Sequence, residues 1–179
     1  PLKVHKREGE PCPRCGTTIA AGFFAEHQTN YCPEEQTGGR VLAVMKTSRG
    51  DLSDPDPAEP QLMVLTRDPV SGVWASYPAG RVADDHTRPI LLVDEVSRRI
   101  HVFATAPTPG GAVYHKASSL DEISFGEGLG TPFMRGGSNT LLNNATSTKQ
   151  NVNGTTGLVV AASEGTNSNY WHNYLPLGG

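Results

Sequence analysis

The sequence lacks a long hydrophobic run. Its 179 residues contain no stretch of about 18 consecutive apolar residues, so no transmembrane helix is expected. No signal peptide is visible at its start. An excess of positive charge is also missing. Lys and Arg total 15 against 18 Asp and Glu, a net charge of −3, which gives no general attraction for a phosphate backbone. Cysteine is scarce, with three residues at 12, 15 and 32. An odd, clustered set argues for metal ligation or thiols and against a disulfide framework. No segment keeps a helical period over three turns, and 20 Gly and 14 Pro punctuate the chain. With frequent β-branched residues, this composition reads as a β protein with many turns. A glycine-rich phosphate loop, a Ser-His-Asp arrangement, a nucleophile elbow and a His-Glu-x-x-His pair are all missing.

The stretch with a specific chemical reading runs from Cys12 to Gln36. It holds Cys12-Pro13-Arg14-Cys15-Gly16 and, after sixteen residues, Cys32-Pro33-Glu34-Glu35. Two thiolates from one tight turn close half of a tetrahedral shell, and a hairpin returns the chain so that a second turn closes the rest. The pattern is the outline of a zinc ribbon, with Cys12, Cys15, Cys32 and Glu35 as ligands and one zinc per chain. Glu34 is an alternative fourth ligand. Carboxylate oxygen is an acceptable donor to zinc, but such a site is weaker than one of four thiolates. Ile19, Phe23 and Phe24 supply the apolar face of the intervening hairpin.

These residues resemble a known family. The run from Val4 to Ile19, the spacing from Cys15 to Cys32, and Tyr31, Cys32, Pro33 and Gln36 are similar to the C-terminal zinc finger of the formamidopyrimidine-DNA glycosylase and endonuclease VIII family. The tail Thr37-Gly38-Gly39-Arg40-Val41-Leu42-Ala43 is like the end of those enzymes. The resemblance covers roughly residues 1–43 and implies a finger that contacts duplex DNA around His27, Gln28 and Thr29. Two positions depart from the family pattern. Glu35 stands where the family has its fourth cysteine, and His27 stands where many members carry an arginine that enters the DNA. The family's catalytic Pro-Glu pair and its domain have no counterpart. Pro1 has no partner glutamate, so no catalytic residue is assigned. Charge balance within residues 1–40 is near zero, with Lys3, Lys6, Arg7, Arg14 and Arg40 against Glu8, Glu10, Glu26, Glu34 and Glu35. DNA binding by this segment alone is therefore expected to be weak.

Beyond residue 43 the chain changes character. Val41 to Met45 suits a strand, and 48–57 is rich in Asp and Pro and reads as a solvated loop. That loop contains Arg49-Gly50-Asp51. Its acidic residues Asp51, Asp54 and Asp56 lack the remainder of a calcium loop. From residue 61 a unit recurs, in which an apolar strand, a turn and an outer strand with an early aromatic follow one another. The hairpins are 61–66 with 73–77, 100–105 with 112–116, and 158–163 with 169–174. Leading strands are expected at 41–46, 89–94 and 147–152, and the extra length falls in a loop around 118–143. Repeats of three or four strands at about this period suggest propeller blades, with a plain antiparallel sandwich as the alternative. Three blades do not close a ring, so open edges are expected to be covered or to pair with another chain.

The segments 85–90, 102–105 and 143–152 also resemble bacterial secreted β-propeller modules of the sialidase-like, BNR-repeat type. That likeness spans roughly residues 46–175 and implies fold more than activity, since no Ser-x-Asp-x-Gly-x-Thr-Trp box is present. Asp84, Asp85, His86 and Arg88 precede a strand and form a candidate ligand-binding cluster, for an acidic or sugar ligand or for acid–base chemistry. The competing reading is a loop network that ties neighbouring blades. His101, His115 and His172 lie in strands at unrelated spacings.

The expectation is therefore a mainly β chain in two parts: a small zinc-ribbon hairpin finger at 1–43, and about three propeller-like blades, an incomplete propeller, at 44–179. The first function expected is a zinc-dependent DNA-binding finger of the base-excision repair type without a catalytic centre. The alternative is an extracellular carbohydrate- or protein-binding module, and a hydrolase at Asp84, Asp85 and His86 ranks third. The two parts point to different compartments, the cytoplasm by the finger and the exterior by the blades.

Overall fold

A computed structural model describes residues 7–24, 27–31, 34, 40–106, 111–137, 140–147, 152, 156–165 and 168–177. The chain divides into two compact units, residues 1–42 with 66–75, and residues 43–65 with 76–179. This division groups residues 66–75 with the first unit, which a boundary at 43/44 does not.

In the first unit, β1 (Ala20–Phe24) pairs antiparallel with β2 (His27–Tyr31). The register runs from Ala20 opposite Tyr31 to Phe24 opposite His27. Residues 66–75 form the end of another hairpin, built on Asp68. Its Oδ1 accepts the N–H groups of Val70 (3.0 Å) and Ser71 (2.7 Å) and the Ser71 hydroxyl (2.9 Å). An aspartate that satisfies nearby backbone donors in this way fixes a turn. These bonds hold the Asp68 carboxyl below its ordinary pKa, the Ser71 N–H first.

The second unit is built from consecutive strands. Three sheets follow in chain order: β3 (Val41–Lys46), β4 (Pro60–Arg67) and β5 (Trp74–Arg81); then β6 (Thr87–Asp94), β7 (Arg99–Ala106), β8 (Ala112–Ser119) and β9 (Thr131–Arg135); then β10 (Leu142–Ser147), β11 (Leu158–Glu164) and β12 (Tyr170–Leu175). Within each sheet the spatial order equals the chain order, and pairing is antiparallel.

Strand β7 explains the architecture. Val102, Phe103, Ala104, Thr105 and Ala106 are all buried, so water reaches neither of its faces. Pleat alternation puts Phe103 with Val113 of β8 and Ile90 of β6 on one face. There they meet Leu142, Ala145, Leu158, Val160 and Ala162 of the last sheet in one core. On the opposite face lie Val102, Ala104, Tyr114 and Lys116. Lys116 Nζ donates from this face to the Ala79 carbonyl of β5 at 2.8 Å. The four-stranded sheet is thus the middle layer. A strand covered on both sides reads as a continuous apolar run, which Ile-His-Val-Phe-Ala-Thr-Ala comes close to.

The mainly β fold and all three hairpins match the reading of the sequence, and two details correct it. The leading strand expected at 147–152 is β10, Leu142–Ser147, with positions 148–151 outside the described residues. The loop expected around 118–143 contains β9 at the sheet edge. Its Pro132 argues against a strand in sequence, but an edge strand needs one side of its backbone only. The Arg49-Gly50-Asp51 triplet forms a short 3-10 turn, with Arg49 paired to Glu59 and Asp51 at 3.5 Å from Lys46.

Phe103 is 0% exposed, stacks on His115 and meets Phe133 edge-to-face. Phe103→Ala is expected to lower unfolding free energy by about 3–5 kcal/mol. Urea unfolding of the two proteins measures this.

Candidate functional site

The first knuckle is fixed by backbone bonds. The Cys12 N–H donates to the Thr17 carbonyl (2.8 Å), and the Gly16 N–H donates to the Cys12 carbonyl (2.9 Å). Gly16 has φ +77°, a left-handed conformation open to glycine at little cost, and this closes the turn directly after Cys15. A bridge between Pro11 and Thr18 and the bond from the Ile19 N–H to the Glu10 carbonyl (2.9 Å) carry the turn into the hairpin. Cys12 is buried against Ile19, and Cys15 is exposed. Neither is in a disulfide. Cys12 thus faces inward onto Ile19, while Cys15 stands at the surface of the same turn.

The β1–β2 register brings Tyr31 back opposite Ala20, at the knuckle end of the hairpin. His27, Gln28 and Thr29 occupy the first three positions of β2, opposite Phe24, Phe23 and Gly22, at the turn end. Cys32 and Glu35 lie outside the described residues, and Glu34 is exposed. Among the described residues no group of three His, Cys, Asp or Glu is placed to hold a metal. The described half of the donor set, two cysteines on one glycine-closed turn, has the chemistry and spacing that zinc takes.

The second candidate cluster is spread over separate partners. The Asp84 carboxylate accepts the Arg81 N–H at 2.8 Å and caps the 3-10 turn Val82–Asp84. Asp85 follows in a left-handed conformation at φ +50° and is exposed. His86 is 1% exposed, and its Nε2 donates to the Leu129 carbonyl at 3.1 Å. Because a carbonyl only accepts, Nε2 carries the proton and Nδ1 is left as a buried acceptor without a partner. Burial, followed by the nearby Lys116 charge, holds His86 below its ordinary pKa, so the ring is neutral. Arg88 instead reaches Asn143 of β10 at 2.7 Å. Lys116 is the group that chain order did not link to this cluster. It is buried and donates to the Ala79 and Gly126 carbonyls at 2.8 and 2.9 Å. Burial pulls its pKa down, and Asp84 is the leading opposing influence.

A third constellation escaped sequence reading. His101 Nδ1 and His115 Nε2 lie 3.0 Å apart, with rings stacked at 5.2 Å between centroids. The β7–β8 register pairs His101 with Ala117 and Phe103 with His115, so the two histidines are diagonal neighbours on one face. Equal parity of positions 101 and 115 in the paired strands was the signal available in the sequence. One ring donates and the other accepts, which requires His115 or His101 to be neutral. Burial, then His101 and Arg99, pushes His115 down to about 4.

Comparison with known proteins finds short likenesses. A Mycobacterium tuberculosis protein described as an uncharacterized formamidopyrimidine-DNA glycosylase-like protein is 50% identical over 48 residues, 27% of this chain and 30% of that protein. The formamidopyrimidine-DNA glycosylases of a Roseiflexus species and of Lactiplantibacillus plantarum are 56% and 54% identical over 35 residues, 20% of this chain and 13% of each enzyme. The chain therefore shares a short region of homology with the formamidopyrimidine-DNA glycosylase family and spans less than a third of each relative. No family model and no solved structure matches it.

Two predictions follow from the buried polar groups. A Cβ at Gly80 would stand 2.7 Å from His86 Nδ1 and 3.2 Å from Leu62 Cβ. Gly80→Ala is expected to cost about 1–3 kcal/mol by overpacking, read as a drop in melting temperature. His115 titrates lower in the folded chain than its ordinary 6.5. The unfolded chain therefore binds more protons over this window, and stability is full above 6.5 and falls as pH drops toward 4. Urea unfolding between pH 7 and 4 should show this slope, and His115→Gln should reduce it, leaving the share of His86 and His101.

Proposed function

We propose that residues 1–43 act as a zinc-dependent DNA-contacting finger of the formamidopyrimidine-DNA glycosylase type. The observation that carries this reading is the pairing of short homology to that family with the glycine-closed Cys12–Cys15 turn at the root of the β1–β2 pair. In this reading Cys12, Cys15, Cys32 and Glu35 hold one zinc. Bound zinc supplies structural cross-linking of the two knuckles. The strand beginning His27-Gln28-Thr29 then lies at the far end of the hairpin and meets the duplex. Without a basic surface, contact is weak and falls with salt.

The three sheets of the β region are read here as successive propeller-type blades. Support comes from their consecutive strand order and from the middle sheet being covered on both faces. This region is assigned a non-catalytic role, because Asp84 and His86 are engaged by backbone partners and Arg88 by Asn143.

Elemental analysis of the purified chain after dialysis against a weak chelator tests the finger. About one zinc per chain is expected, with Cys15→Ser reducing it to a small fraction. Fluorescence anisotropy with an abasic duplex should then show binding in the zinc-loaded chain and loss in Cys15→Ser. A metal-free chain that binds the duplex equally well would sink the reading.

A further inference from the structure

Strand β12 is the edge of the last sheet, and among the described residues nothing pairs with its outer side. Protein edges are normally blunted by charge, proline or a bulge. The strand, Tyr170-Trp171-His172-Asn173-Tyr174-Leu175, has no Lys, Arg, Asp, Glu or Pro, and its register with β11 has no shift. Tyr170 is 86% exposed and Tyr174 49%.

The free backbone groups can be assigned. The Glu164 N–H donates to the Asn169 carbonyl at 2.8 Å, so that pair is hydrogen-bonded. Antiparallel pairs alternate between bonded and non-bonded. Trp171, Asn173 and Leu175, opposite Ala162, Val160 and Leu158, thus spend their backbone groups on β11. Tyr170, His172 and Tyr174 point theirs outward. The Tyr174 N–H is taken by the Asn173 side chain at 2.8 Å, while those of Tyr170 and His172 have no acceptor among the described residues. The same three side chains share the outer face with Val159, Ala161 and Ser163. That face of the hairpin carries no formal charge.

We propose that β12 pairs antiparallel with β12 of a second copy of this chain, across a twofold axis at His172. The motif is self-complementary, because antiparallel pairing about His172 sets each Tyr170 opposite the partner copy's Tyr174. A closed twofold contact needs this property of a surface. His172 meets its counterpart, and aromatic cross-strand pairs flank it on both sides. The His172 N–H groups and the Tyr170 N–H groups bond across the axis without rearrangement. Release of the Tyr174 N–H by Asn173 adds the outermost bonds. No like charges oppose one another, which leaves the edge open to its own copy. The result is one continuous six-stranded sheet, twice the three strands of the last sheet.

Sedimentation equilibrium of the full chain, with reductant present so that no disulfide links two copies, tests this. The expected result is twice the chain mass. His172→Pro removes an outward N–H and no bond to β11, a change that edge strands tolerate. It should give a monomer with an unchanged circular dichroism spectrum. His172→Lys sets two positive charges opposite each other at the axis and should also give a monomer, with dimer regained at high salt. A monomeric native chain, a dimer that withstands both substitutions, or open-ended polymers would each overturn the proposal.

Discussion

The exclusion of water from both faces of β7 is the constraint on which the second unit depends. A strand so placed cannot satisfy its backbone with solvent, so β6 and β8 must pair with it along its length. Its two faces then demand cover. Phe103 draws the last sheet onto one side, and Ile100, Val102 and Ala104 require cover on the other. Polar groups admitted to these layers must find partners there, and Lys116 does so by spending its ammonium on two carbonyls. Where the partners run short, as at His86 Nδ1 and His101 Nε2, the rings remain neutral instead.

This division of labour separates what the amino-acid order reveals from what it conceals. The three hairpins were legible because each has an apolar strand bounded by turn residues, such as Asp68 and Gly72 with its positive φ. Strand β9 was not, because Pro132 masks an edge strand and its partner β8 lies across the residues around 121–130. The knuckle was legible through cysteine spacing and Gly16, which are local. The fate of Asp84, Asp85, His86 and Arg88 was not, since adjacency in sequence says nothing of where side chains go. Asp84 turns back to Arg81, His86 goes to Leu129, and Arg88 goes to β10. The His101–His115 pair needed the register, which depends on a turn whose residues alone do not fix it.

The two units also differ in how they are stabilised. Around the first knuckle, Cys12 and Ile19 are the two buried apolar side chains among the described residues, and backbone bonds close the turn. Among the described residues the middle and last sheets share a core of nine buried side chains.

The meander connectivity has a consequence for how the chain is made. In each sheet every strand pairs with the strand that precedes or follows it. Ladders of this kind have short sequence separation and close quickly. As the ribosome delivers the chain, each hairpin has its partner at hand before the next strand emerges. Only the docking of sheets must wait. Until β10 and β11 arrive, the Phe103 face of the middle sheet stands bare, and that interval is when a nascent chain is most exposed to wrong company.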